Sequence, residues 1–504
     1  MAEPIVFDIS DAASDFLDTT GSVYLNAGTV VINNTSTKTS IDLFEGTGSR
    51  TATHFVMNGG DIRDWTYNAA TGVLTQSTLA ESEWNGTAWT NGNPASTAVK
   101  AVIRSAGCTL SGNLSDGASI TLTDGGVWDI TAHTNMFNTQ GRASVEFRMD
   151  GGTLSIDESY FLGTDSNSSA IHFDISGGKI TAAGDNAGLS LRKNASMNVY
   201  GDADINVGRI HVGVSGGHSQ ARFYGDSTTK VVNLDCAYND ASTVGYLTVE
   251  ENATLRIQNV RAMDGHGNKG SLNFNVVGGN TFVTTMNLGV ENATDVLMQT
   301  GGRLNVGTLN ITGTGDAVTL SGGSLAVNTL NATGAFAFTG GTLNVGTYNG
   351  NLVNEGGTLD IVTLDTLTYE TEAYAIFSDE IGTTTINGTY TQGENGILKI
   401  QFDGTESDQL LATSLTLGGT LLLEMLNEPT TPTSYKIFGD NPTIIGDFAS
   451  VLGSGNLASW SFDSLTGTVN YLPSSYVPEP ASGVLLLLGW WGWSFSRKKL
   501  RAVR

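Results

Sequence analysis

A chain of 504 residues with a formal charge of −25 is too acidic to hold nucleic acid or anionic lipid in a basic groove. Only 14% of its residues are charged and 64 are glycine, against roughly 25% charged and about 7% glycine in ordinary globular domains. Few charges and many turn formers indicate short strands joined by tight turns, with length reached by repetition rather than by one large core.

Residues 1–100 come first. "DIRDWTYNAATGVLTQ" and "ESEWNGTAWTNGNPASTAVKAVI" are turn-rich and set Trp65, Trp84 and Trp89 among short strands. A solenoid needs its open end covered, because an exposed strand edge invites aggregation. This segment is therefore predicted to be an N-terminal β cap, with carbohydrate stacking on the tryptophans as the second reading.

Residues 101–404 are predicted to be repeats. "GGRLNVGTLN" from Gly301, "GGSLAVNTLN" from Gly322, "GGTLNVGTYN" from Gly340 and "GGTLDIVTLD" from Gly356 share one pattern, and looser copies start at Gly125, Gly151, Gly177 and Gly418. Self-similarity of this kind is the mark of a stacked array. The Gly pair permits the positive φ of a corner, and Leu and Val/Ile two residues apart face the same side of a strand, into a core. The predicted fold is all-β, a right-handed parallel β-helix. Stacking would put Thr308, Thr329, Thr347 and Thr363 in one column and Asn310, Asn331, Asn349 and Asp365 in another, where amides can bond along the axis. Both columns read as scaffold. Cys108 and Cys236 would lie about 30 Å apart at ~4.8 Å per coil, too far for a disulfide, and read as buried free thiols.

Residues 405–476 alternate apolar and polar residues without a helical period. Asp408 to Leu410, the Gly-Gly-Thr-Leu strand at Gly418, Tyr435 to Phe438 and Gly446 to Phe448 resemble the end of the β-helical stalk in autotransporter-type passenger domains. The resemblance covers about seventy residues and implies a β closing region rather than an active site.

The tail, 477–504, differs from everything before it. No charge occurs from 481 to 495, three tryptophans (Trp490, Trp491, Trp493) follow an aliphatic run, and Arg497, Lys498, Lys499 and Arg501 close the chain. A spanning helix needs about 20 apolar residues, and aromatic and basic flanks fit its cytoplasmic end, so a C-terminal transmembrane helix is predicted. With Val477, Pro478, Glu479 and Pro480 ahead of it, the tail resembles the PEP-CTERM sorting signal. The resemblance implies processing by an exosortase, a membrane-embedded cysteine protease-like enzyme of Gram-negative bacteria that often also export polysaccharide. It makes Val477–Pro480 the sorting motif, with Pro478, Glu479 and Pro480 the recognition residues, and the helix and basic cluster the stop. "MAEPIVFDISDAASDFL" holds no Lys or Arg and no apolar stretch of signal length, so an upstream export segment is expected.

No complete catalytic or metal-binding pattern occurs in the sequence. Gly-His-Gly at His266 is one short motif of polygalacturonase-like hydrolases, but the Asp-Asp and Asn-Thr-Asp that supply that family's carboxylates do not occur. The six histidines show no His-x-x-x-His spacing, and no cysteine has a partner close by for zinc. Asp/Asn-rich turns such as "TDSNSS" and "SDGAS" could take calcium but lack a binding loop pattern. The expected protein is a non-enzymatic, exported envelope or extracellular-matrix stalk without cofactor. It would be anchored or processed through its C-terminal signal and would bind polysaccharide or other cells through loops. Its expected partners are an exosortase, the membrane through the C-terminal helix, and exopolysaccharide, with no nucleic acid. The alternative is a polysaccharide lyase or glycoside hydrolase on the same scaffold.

Overall fold

The computed structural model describes residues 5–473 apart from short internal stretches, the longest being 111–118 and 262–269. Thirty strands, from Glu81–Trp84 to Ser450–Gly453, join in one sheet. It is wound into a parallel β-solenoid of about 13 turns, with no helix among the described residues. The rungs thus extend past the expected 101–404 span at both ends.

One coil shows how the pattern works. In Val145–Ile156 the first half pairs along one face of the solenoid, Phe147 against Phe173, and after the Gly151-Gly152 corner the second half pairs along the next, Leu154 against Ile180. Phe161–Thr164 then supplies the third face, Leu162 opposite Leu189. Each inward residue stacks on its equivalent one coil later, and all six of these side chains are fully buried. Burying each contributes on the order of 1.5–3 kcal/mol. The corners require glycine: Gly323 has φ +70°, and a Cβ there would lie 2.4 Å from the Gly301 carbonyl oxygen of the coil below.

Late in the solenoid one inward column of the first face turns polar. Met149, Ile175, Val199, Phe223, Val249 and Val276 are followed in register by Gln299, then by Leu320 and Phe338, and then by Asn354 and Gln392. Their amide nitrogens are all hydrogen-bonded, while the Gln299 Oε1 is buried without a partner. Gln299 donates to the Ser324 carbonyl at 2.8 Å, Asn354 to that of Gly357 at 3.0 Å, and Gln392 to those of Gly418 and Thr420, both at 2.9 Å. Buried polar groups that are hydrogen-bonded in this way hold the corners of the coils.

The Thr and Asn columns exist, with one change of membership. Thr285, Thr308, Thr329 and Thr347 stack on the third face, and the next member is Thr385, not Thr363. Asn287, Asn310, Asn331 and Asn349 are continued by Asn387, not Asp365, through amide bonds of 2.5–2.7 Å. The reason is an excursion: after Thr358–Asp360 the chain leaves the coil and returns at Thr383–Gln392. Residues 363–371 form a strap along the outside of the second face. Asn328 donates to the Asp365 carbonyl at 2.8 Å, and Arg256 to those of Tyr369 and Thr371 at 3.0 and 2.9 Å. Lys230 pairs with Glu370 at the far end.

The N-terminal segment is more than a cover. Ile5–Ile9, Val30–Asn34 and Phe55–Asn58 pair in parallel, as do Leu17–Thr20 with Phe44–Thr47. These are rungs with their own buried cluster, which includes Phe7, Ile32, Leu43 and Trp65. Trp84 and Trp89 lie 5.7 Å apart across a hairpin and pack on the main core; Trp84 donates to the Ala106 carbonyl. That placement favours covering the core over stacking sugars. At the other end Thr433–Lys436, Trp460–Asp463 and Thr468–Tyr471 form an antiparallel sheet, and Trp460 packs on Phe402 at 5.0 Å.

Candidate functional site

The residues predicted to carry sorting, Val477, Pro478, Glu479, Pro480, Arg497, Lys498, Lys499 and Arg501, lie outside the described residues, as do the 481–495 stretch and His266. The "TDSNSS" turn does so from Asp165 on, and "SDGAS" does so up to Ala118. Among the described residues, no helix is long and apolar enough to cross a membrane.

One polar grouping of the described chain lies on the outer side of the first face. There the ladder register brings Arg148, Asp174, Asn198 and Arg222 into one column. Arg148 lies 3.5 Å from Asp174, and Arg222 meets Glu250 in a bidentate pair at 2.9 and 2.7 Å. The Arg222 guanidinium also sits 4.5 Å over the Tyr224 ring, which stacks on Tyr200 at 4.9 Å. Burial, and next the charge of Asp174, push both phenols far above the usual tyrosine range. Neither can act as a base near neutral pH. In the next outward column His172 Nδ1 lies 2.5 Å from Ser196 Oγ, but this serine is 1% exposed, so the pair presents no nucleophile to a substrate.

A second charged group occupies the third face, where Arg209 Nε is 3.1 Å and His211 Nε2 3.5 Å from the buried Asp235. Further along, Lys399 bridges Asp360 at 3.3 Å and Glu424 at 3.0 Å beside an open cavity of about 470 Å³ lined by Leu422, Leu423, Leu452 and Gly453. Burial works against the Lys399 charge, but the bond to Glu424 and the charge of Asp360 outweigh it and hold the ammonium above its usual range. It is a fixed cation, not a general base. No group of three or more His, Cys, Asp or Glu that could hold a metal occurs among the described residues. Cys108 and Cys236 are free and buried, as expected. Burial raises the Cys108 thiol to about 11 and that of Cys236 well above the ordinary value, which removes thiolate reactivity.

The residues that resemble the autotransporter stalk end all make packing or capping contacts. Asp408 is fully buried and accepts the backbone N–H groups of Gly382 at 2.7 Å and Gln401 at 2.6 Å. Tyr435 donates to the Gly404 carbonyl at 2.6 Å, and Phe448 packs on Phe462 at 5.2 Å. Sequence reasoning missed the Arg148–Asp174 and Arg222–Glu250 pairs. Their only signal is a spacing of 26 and 28 residues, which has meaning once the coil register is known.

No protein-family model matches the chain, and no curated protein matches it.

Proposed function

We propose that this chain is a non-enzymatic exported protein of the cell envelope or extracellular matrix. In this reading a right-handed β-helical stalk stands outside the cytoplasm and takes exopolysaccharide as its ligand class. A C-terminal transmembrane helix within 477–504, with the basic cluster on its cytoplasmic side, anchors it until an exosortase acts at Val477–Pro480. The observation that carries the reading is the tail itself, a Pro-Glu-Pro triplet, an uncharged run and a basic end in that order, on a body of opposite charge.

The body supports it in a second way. A glycoside hydrolase needs two carboxylates placed across a sugar, one as acid and the other as base or nucleophile. On the described faces Asp174, Asp235, Glu250 and Glu424 are each tied to an Arg or Lys. Deleting 477–504 from the exported protein is expected to move it from the membrane fraction to the medium or periplasm. Retention in the membrane fraction would sink the anchor.

A further inference from the structure

The third face changes character at Thr285. From there to Asn387, five successive strands present outward Thr-x-Asn, the intervening residue always being a buried core side chain such as Leu309 or Leu330. Adjacent rungs are about 4.8 Å apart, and residues two apart on one strand are separated by about 6.6 Å. The result is a flat rectangular mesh of hydroxyls, methyls and amides, close in its repeat to the oxygen mesh of hexagonal ice.

Three properties set this mesh apart from an ordinary polar surface. It is fixed in advance: threonine has few χ1 choices, and each asparagine is held by the amide column, so little side-chain entropy remains to be lost on contact. The Thr308, Thr329 and Thr347 hydroxyls make no hydrogen bond to the protein among the described residues, and all three side chains are partly exposed, so the hydroxyls stay available to water. Neither column carries a charge or an aromatic ring, although the chain as a whole is strongly acidic. A sugar chain would be expected to find rings to stack on, and a cation would need carboxylates. Threonine methyls instead order the first layer of water while hydroxyls and amides bond to it. We propose that the face from Thr285 to Asn387 binds ice, holding a layer of ordered water that joins the crystal lattice. This inference is independent of the sorting tail.

The test uses the purified full-length chain. It should shape growing ice crystals and slow recrystallisation of a frozen sucrose solution. Thr329→Tyr, in the middle of the mesh, should reduce both effects to those of a control protein, while Thr319→Tyr, on the outer side of the first face, should leave them unchanged. Circular dichroism and melting of each variant establish that the coil is intact. If Thr329→Tyr does not fold, Thr308→Lys replaces it. A folded wild-type chain without effect on ice overturns the proposal, as does a folded mesh variant as active as the wild type. Binding to insoluble polysaccharide with no effect on ice overturns it as well.

Discussion

The third face offers two solutions to the same backbone problem. Between Gly188 and Arg261 its outer side is charged, with Arg209 and His211 gathered on a buried Asp235. From Thr285 to Asn387 the same positions are neutral, and Asn bonds to Asn from coil to coil. The buried residues beneath are of one kind throughout: Ile210, Leu234 and Val260, then Met286, Leu309 and Leu330. A solenoid fixes spacing through its core and leaves the outward residues free to choose their chemistry. The charged choice makes each residue depend on one partner. The neutral choice spreads the dependence along a column.

On the charged coils the largest loss should come from Glu250→Ala on the first face, which leaves the Arg222 guanidinium buried without its carboxylate. Stability to guanidinium chloride should fall by about 3–5 kcal/mol, whereas replacing both partners with methionine should cost far less. Equal costs for the two variants would mean the pair is not coupled as the geometry implies.

Just beyond the neutral half lies a buried ionisable group, Asp408. Burial raises its carboxyl from the ordinary aspartate range to about 7, although two backbone N–H groups oppose the shift. The folded chain therefore binds a proton that the unfolded chain has released between about pH 4 and 7. Stability is fully present below the unfolded pKa and is lost as pH rises through 7, by up to about 4 kcal/mol. Thermal melts from pH 4 to 8 should show this decline, and Asp408→Asn should flatten it.

The smallest effect belongs to the amide column. Asn331→Ala removes two bonds, to Asn310 and Asn349, and should cost about 1–2 kcal/mol. Because no charge is involved, that cost should not change with salt, whereas the Arg–Glu cost should. A salt-dependent Asn331→Ala would erase the distinction between the halves.

The sequence revealed coils wherever they were short and began with Gly-Gly, and it anticipated the amide column before any register was known. It misled at "GGTLDIVTLD", where Thr363 and Asp365 fit the pattern but belong to the strap. A motif reports side-chain alternation, and a strap alternates too; only the separation of 22 positions between Thr363 and Thr385 distinguishes them. The N-terminal rungs were missed because no Gly-Gly follows "IVFDI" or "VVINN", so the single pair at Gly59 and Gly60 after "FVMN" showed no repeat, although the three segments recur every 25 residues. The charged pairs were illegible for another reason: contacts one coil apart follow coil length, which varies along the chain.

In a simple solenoid each coil touches only its neighbours, so disorder can propagate one coil at a time from either end. The strap changes this. Between Lys230 and Asn328 it bonds to four strands along the second face with one continuous segment. Pulled along its axis, this stretch would not peel apart in small steps. It would hold as a single braced unit and give way at once when the strap comes free, a stiff middle between two ends that can yield separately.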